Sequence, residues 1–188
     1  MGKLYLKLFL LIVVTTLYSC KTTKNLEISA PFSEKKYKSN KNFFRVTSSG
    51  SSKDLETAKK KAIMNAKSEL SGNIRSTVKA VTDQYTNSTT VENYEQFENK
   101  FEELARTVVK EILSDLDVKD EKLFRETDKK TGKDNYSVWV VMEMSRQSVF
   151  DDMNSKISID QKLQLDYDKM KYEKIFNSEM EKLAEENN

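Results

Sequence analysis

The sequence predicts an α+β fold: a small antiparallel sheet of about three strands packed against a helix pair, with a long C-terminal helix. Two long stretches repeat apolar residues at three- and four-residue steps, as on one face of a helix. Two shorter stretches flank a turn that contains Gly132, and such an arrangement is typical of a β-hairpin. No Gly or Pro follows Gly132, which favours a long final helix.

Residues 1–19 have the three parts of a secretory signal peptide. Lys3 and Lys7 precede an uninterrupted apolar run from Leu8 to Val14, and a small residue, Ser19, stands before Cys20. The apolar run is too short to cross a bilayer comfortably, because a spanning helix needs about 20 residues. We therefore expect residues 1–19 to direct export.

The end of this segment resembles the lipobox of bacterial lipoproteins. Leu17 and Ser19 precede Cys20, which is the only cysteine of the chain, although Tyr18 is bulkier than usual at its position. The resemblance implies a diacylglycerol thioether on Cys20, cleavage before it, and acylation of the new amine, for example with palmitate. Two or more acyl chains hold a protein stably on a membrane. An ordinary signal peptide or an uncleaved anchor, with an incidental cysteine, is the alternative.

Charge and composition restrict the partners. Removal of Lys3 and Lys7 with the signal leaves 30 basic residues against 30 acidic residues, so the mature chain is formally neutral. This balance argues against nucleic acid as a partner, since phosphate binding needs a basic excess. Residues 20–41, rich in Lys, Ser, Thr and Asn and containing the single proline, are predicted to form the lipidated cysteine and a flexible tether.

The first part of the predicted domain, which spans residues 42–150, reads as a strand and a helix. Residues 42–47 form the strand, a Ser-Gly loop covers residues 48–52, and Ser52 is the expected helix cap. The helix then places small and aliphatic residues on one face. They are Leu55, Ala58, Ala62, Ala66, Leu70, Ile74, Val78 and Val81.

A second helix and a hairpin follow. Thr89 and Glu92 have capping-box spacing, and the second helix has an apolar face. This face contains Phe97, Phe101, Leu104, Val108 and Ile112. Residues 116–127 and 136–144 are predicted to form the two strands of the hairpin. Tyr136 lies on one face of the later strand and Trp139 on the other.

Residues 151–188 are predicted to form a helical C-terminal extension. Val149, Met153 and Ile157 begin one apolar stripe, and Tyr172, Phe176, Met180 and Leu183 make a later one. Clean heptads over three to four repeats are absent, so the pattern does not specify a coiled coil. The extension could project as an arm or pair, or fold back on its own domain.

From Phe43 to about Phe150 the chain resembles the LPP-twenty lipoprotein family. The resemblance is carried by the segment 44–50, which ends in Gly50, by the helix with Ala58, Ala62, Ala66 and Leu70, and by the strand 136–140. It covers a little over half of the chain. It implies a small α+β domain attached to a bacterial envelope, without established catalytic activity, and it suggests assembly by contact between domains.

Residues suited to catalysis or metal binding are few. The chain contains no histidine, and lipidation would occupy Cys20, so His-dependent nucleophiles and the usual zinc sites are not expected. Ser76 with Lys79, and Lys130 with Gly132, match two motifs of penicillin-recognising enzymes, but Ser76 falls within the predicted helix and Lys130 in a turn. We therefore expect no enzyme activity, no catalytic residues, no metal and no cofactor.

The sequence leaves two functions open. The first is a non-catalytic interaction or scaffolding module, anchored through Cys20 at the periplasmic face of the outer membrane, with an envelope protein or a second copy as partner. Lys21 favours the outer membrane, because an Asp after the lipidated cysteine is the familiar inner-membrane retention signal. The alternative is a ligand-binding module with a pocket between helices and sheet, lined by Phe97, Phe101, Tyr136 and Trp139. Lysines of the first helix and glutamates of the second could also set how the helices align.

Overall fold

A computed structural model describes residues 30–88, 94–114, 116–160, 163 and 167–186. The described residues from Pro31 onward form one compact unit. The predicted signal peptide, Cys20 and the Thr89–Glu92 capping box lie outside the described residues. The described strands and α-helices, in chain order, are β1 (Phe43–Ser52), α1 (Leu55–Ser88), α2 (Tyr94–Ser114), β2 (Val118–Thr127), β3 (Asp134–Ser145), α3 (Arg146–Ile159) and α4 (Lys169–Glu186).

The three strands form one antiparallel sheet in the order β1-β3-β2, which confirms the predicted α+β class. β2 and β3 are the predicted hairpin, with a register irregularity between Val118 and Asp120. The two edges differ, because β1 is covered by its own chain, whereas β2 is exposed over most of its length. β3 is the central strand, and its core-facing valines are fully buried.

β1 is longer than the sequence predicts. The expected Ser-Gly loop at residues 48–52 continues the strand instead, with Ser49 opposite Trp139 and Ser51 opposite Ser137. Side chains of α1 bind this part of the strand edge. Asn65 donates to the carbonyl oxygen of Ser49 at 2.9 Å, and Lys61 donates to that of Ser51 at 3.2 Å. Because these bonds involve residues distant in sequence, local turn propensity gave the wrong result.

The start of α1 is also capped differently. The side chain of Asp54, rather than Ser52, accepts a hydrogen bond from the backbone N–H of Thr57 at 2.8 Å. The Thr57 hydroxyl donates to the same carboxylate oxygen at 2.6 Å. These bonds lower the pKa of Asp54. Ser52 instead accepts from the N–H of Asp54 at 3.3 Å, so it supports the turn before the helix.

α1 covers the inner face of the sheet through its predicted apolar stripe. Every member of that stripe except the partly buried Leu55 is buried. The three alanines keep the stripe thin, so the helix backbone lies close to β1. At Gly50 the approach is so close that a Cβ would lie 2.5 Å from the carbonyl oxygen of Ala58 and the amide nitrogen of Ala62. Only glycine fits there without displacing the helix.

The remaining helices complete the same core. α2 and α4 pack against α1, and α3 packs against α2. Tyr172 and Phe176 of α4 join an aromatic cluster with Tyr85 and Phe101, in which Tyr172 lies with its ring centre 5.3 Å from that of Phe101. The described part of the C-terminal segment is therefore folded back onto the domain, and its helices belong to the same compact unit as the sheet.

The N-terminal segment differs from the predicted tether. Residues 31–39 cross the outer face of the sheet, where Phe32 is only 4% exposed and Lys122 of β2 lies over its ring. The Tyr37 hydroxyl donates to the Asp120 carboxylate at 2.8 Å. Val141, on the outer face of β3, is fully buried. Burial of this apolar surface and the cross-strand polar contacts hold the segment in place, despite its polar composition.

Candidate functional site

The described residues contain one large cleft with an unusual charge, bounded by residues 32–39, β1, α1 and the end of α4. Its volume is about 630 Å³, within the range of small-molecule sites. Its apolar lining residues are Leu183 and the nearly buried Phe44 and Val46, and Asn73 and Ser76 line it from α1. The cleft lies at the edge of β1, between the N-terminal segment on the outer face of the sheet and α1 on its inner face.

Backbone groups of β1 face this cleft. The Ser39 hydroxyl binds both the N–H and the carbonyl oxygen of Arg45, at 2.8 Å and 3.0 Å, so these groups point away from β3. Asn65 binds the carbonyl oxygen of Ser49 on the same edge. In an antiparallel strand the direction alternates, and Thr47 therefore also presents its N–H and C=O at this edge. Thr47 lines the cleft between the two covered positions.

Arg146 is the most unusual residue of the cleft. It is the first residue of α3 and is only 3% exposed, with its guanidinium 4.7 Å from the centre of the Phe44 ring. One Nη donates to the carbonyl oxygen of Met180 at 2.8 Å, whereas the buried Nε has no hydrogen-bond partner. Burial lowers the pKa of Arg146 to about 10, which leaves the side chain charged at neutral pH.

The charge around Arg146 is not balanced within the described residues. Lys38, Arg45 and Arg146 line the cleft, against a single acidic residue, Glu69. Arg45 is already engaged, because it forms an ion pair with Glu143, which also binds Lys119. These cations and burial act in opposite directions on Glu143, and the net effect is a lowered pKa. Among the described residues, no ion pair involves Arg146, so its surroundings favour an added anion.

The four residues predicted to line a pocket do not line a common cavity, although two of them are in contact. Phe97 and Phe101 are buried in the aromatic cluster, with ring centres 5.3 Å apart. Tyr136 packs against the core, and Trp139 lies on the opposite face of β3. Of the four, Phe101 lines a groove of about 400 Å³ between α1 and α2. Arg146 was missed because an arginine after a strand gives no sequence signal of burial.

Among the described residues, complementary charges join the first two helices at Lys79. Lys79 of α1 binds Glu98 at 3.1 Å and Glu102 at 3.3 Å, and also contacts Asp83 in its own helix. These acidic partners raise the pKa of Lys79. Since the group is exposed to solvent, this cluster orients α2 more than it stabilises the fold. Lys59 instead binds Glu121 of β2.

The penicillin-enzyme motifs are not assembled into a site. Ser76 lies in the middle of α1, and Lys130 lies in the β2–β3 turn, where Gly132 has a φ of 65°. Within the described ranges, no group of three or more acidic, His or Cys side chains could hold a metal ion. In the same ranges, no helix is both long and apolar enough to cross a membrane.

Comparison with known proteins identifies no relative. No family model, no curated protein and no solved structure matches the chain.

Proposed function

We propose that this chain is a membrane-anchored bacterial lipoprotein that acts as a non-catalytic interaction or scaffolding module of the envelope, at the periplasmic face of the outer membrane. The observation that carries the proposal is the single cysteine, Cys20, placed after an apolar run and after Leu17 and Ser19. The resemblance of residues 43–150 to the LPP-twenty family supports the same function. The anchor would hold a compact domain that begins at Pro31.

The anchor is tested on the protein expressed with its own signal in a bacterial host. We expect the mature chain to begin at Cys20 and to carry a diacylglycerol thioether and an N-acyl chain, measured by intact and peptide mass spectrometry. The Cys20→Ser variant should lose metabolic labelling with palmitate. A native protein with a free Cys20 thiol would refute the anchor. Protease treatment of intact cells tests the periplasmic face, which digestion of the domain would contradict.

The free edge of β2 supports a scaffolding role. Leu123 and Phe124 are 49% and 48% exposed, on opposite faces of this edge strand. Arg45 directs its backbone N–H and C=O away from β3, and this direction alternates from residue to residue along each antiparallel strand. Together with the registers of β1 and β2 on β3, this means that the odd residues of β2 direct their backbone N–H and C=O groups away from the sheet. An exposed row of such groups is a template for pairing with another strand.

We propose a second copy of this chain as the partner of that edge. Symmetric antiparallel pairing must match odd residues with odd residues. In each such register one residue of β2 lies opposite its own copy, and we consider the five registers in which this central residue is one of 121–125. Four of these registers place like charges opposite each other within β2. The register centred on Phe124 avoids this, since it places Lys122 opposite Glu126 and the two Phe124 side chains together. Anchored copies share one surface, which raises their effective concentration and allows a weak contact to act.

This pairing is tested by disulfide crosslinking in native membranes. The Phe124→Cys variant should form a dimer on mild oxidation, because directly opposed residues of a strand pair are close enough for a disulfide. Met64→Cys, at an exposed position of α1, is the matched control and should stay monomeric. Wild-type protein is the control that separates strand pairing from the lipid anchor. A disulfide dimer of the wild type could form only through an unmodified Cys20, and it would indicate failure of lipidation instead.

Charge reversal tests the register. We expect Phe124→Cys crosslinking to fall when Glu126→Lys is added, because Lys122 then faces a lysine. Adding Lys122→Glu as well should restore it. Pairing through this edge would be refuted if Phe124→Cys crosslinked equally alone, with Glu126→Lys, and with Glu126→Lys and Lys122→Glu together. It would also be refuted if Met64→Cys crosslinked as well as Phe124→Cys.

A second candidate function, a ligand-binding module, is favoured by one observation. The cleft beside Arg146 is open, holds apolar and polar surface, and contains a buried cation without an acidic partner among the described residues. This is a different place from the pocket that the sequence predicts. Saturable binding of a small molecule in this cleft would support the ligand-binding function.

A further inference from the structure

We infer that the cleft beside Arg146 binds a small organic carboxylate, whose carboxylate group pairs with the Arg146 guanidinium and whose apolar part lies against Phe44, Val46 and Leu183. The inference deepens the ligand-binding candidate and rests on it. It is independent of the lipid anchor and of the β2 edge.

The first argument is the incomplete bonding of Arg146. A guanidinium has five N–H donors, and a buried one normally has a carboxylate or several acceptors around it. Here one Nη reaches the Met180 carbonyl oxygen, the Phe44 ring covers one side, and Nε has no acceptor. The contacts with Met180 and Phe44 fix the orientation of the guanidinium without neutralising its charge. A fixed, charged and incompletely bonded fork is suited to binding an anion.

The second argument is the chemistry of the cleft around that charge. A planar carboxylate can accept two parallel hydrogen bonds from a guanidinium. With Arg45 held by Glu143, Lys38 and Arg146 outweigh Glu69 as charged groups of the lining. The apolar side chains beside them would contact a hydrocarbon or aromatic part of the same molecule. Thr47, at the strand edge, supplies a backbone donor and acceptor for a further polar group.

The test uses the protein expressed with its own signal and purified in detergent, whatever the state of Cys20, and measures binding by isothermal titration calorimetry. The probe is 3-phenylpropanoate, and its uncharged amide, 3-phenylpropanamide, is the matched control. We expect saturable binding of the acid at one site, and at least tenfold weaker binding of the amide. Inorganic phosphate is a third probe, and binding as strong as that of the acid would show that the cleft takes any oxyanion and would refute selectivity for carboxylates.

Variants locate the site. Arg146→Met removes the charge and keeps most of the volume, so binding of 3-phenylpropanoate should weaken at least tenfold. Arg125→Met, at an exposed arginine on β2, is the matched control and should bind like the wild type. Unchanged binding by Arg146→Met, equal binding of acid and amide, or no binding of the acid at millimolar concentration would each overturn the inference. If Arg146→Met did not fold, the acid-to-amide comparison on wild-type protein would still decide.

Discussion

The contact between α1 and β1 depends on the absence of a side chain at Gly50, and this predicts opposite effects for the same substitution at two glycines. In Gly50→Ala the added Cβ would lie 2.5 Å from two backbone atoms of α1 and 2.7 Å from Cβ of Lys61. An ordinary contact needs 3.4 Å or more, so helix and strand must separate by nearly 1 Å. Backbone atoms cannot rotate away as a flexible side chain could.

The cost follows from this separation. A gap of 0.5–1 Å forfeits about a quarter to a half of each dispersion contact that it opens. Overpacking of a core costs about 1–3 kcal/mol, and we expect about 3 kcal/mol because the clash involves rigid backbone on both elements. For a domain of this size, that lowers the melting temperature by roughly 6–12 °C.

Gly72 is the matched control, because it lies within α1 and an added Cβ would meet nothing within 4 Å. Gly72→Ala should stabilise the protein by about 0.5–1 kcal/mol, since alanine loses less backbone entropy on forming a helix. Urea unfolding of the mature protein, followed by circular dichroism at 222 nm, measures both. A Gly50→Ala midpoint equal to that of the wild type, or a shift of both variants in the same direction, would refute the reasoning.

Three further predictions concern the helix cap, the aromatic cluster and the N-terminal segment. Hydrogen bonds from Thr57 lower the pKa of Asp54, so the capped carboxylate stabilises the fold at a pH above its unfolded pKa of about 4, and this contribution is lost as the pH falls through the folded pKa. The difference in urea midpoint between wild type and Asp54→Ala should therefore shrink from pH 7 to pH 3. A difference that stays constant with pH would contradict this prediction. The Tyr85 hydroxyl accepts from the Asp168 N–H at 2.7 Å, so Tyr85→Phe should lower the free energy of unfolding by about 1 kcal/mol in the same assay, whereas no change would show that this bond does not hold α4. Phe32→Ala should release residues 31–39 and raise the rate of tryptic cleavage there about 100-fold, since loss of a buried Phe costs about 3 kcal/mol or more. Mass spectrometry of the early fragments measures the cleavage rate. An unchanged rate would mean that another contact holds the segment.

Helix faces and the hairpin could be predicted from sequence because both signals are local. The alanine stripe of α1 and the turn at Gly132 are periodic or conformational features of neighbouring residues. The fold-back of α4 was one of two open alternatives, because an amphipathic helix shows that it needs a partner without showing which. Tyr172 meets Phe101, and Phe176 meets Phe150, only because α4 packs back on the domain.

The cleft was not predictable, for a related reason. It requires residues 31–39, β1 and α1 to meet, and the polar composition of residues 31–39 favoured a tether. Arg146 also looks like an ordinary surface arginine in the sequence. Its burial depends on Phe44 and Met180, which are far from it along the chain.

By itself, the sequence determined the α+β class, the buried faces of α1 and α2, and the expectation of a lipidated Cys20, because each depends on the order of nearby residues. Only the tertiary structure decided that Gly50 is a strand residue in close contact with α1 rather than a loop residue. It also decided that the N-terminal segment covers the sheet, and that Arg146 is buried without an acidic partner among the described residues. These properties depend on which distant groups share a volume, and hydrophobic periodicity carries no information about that.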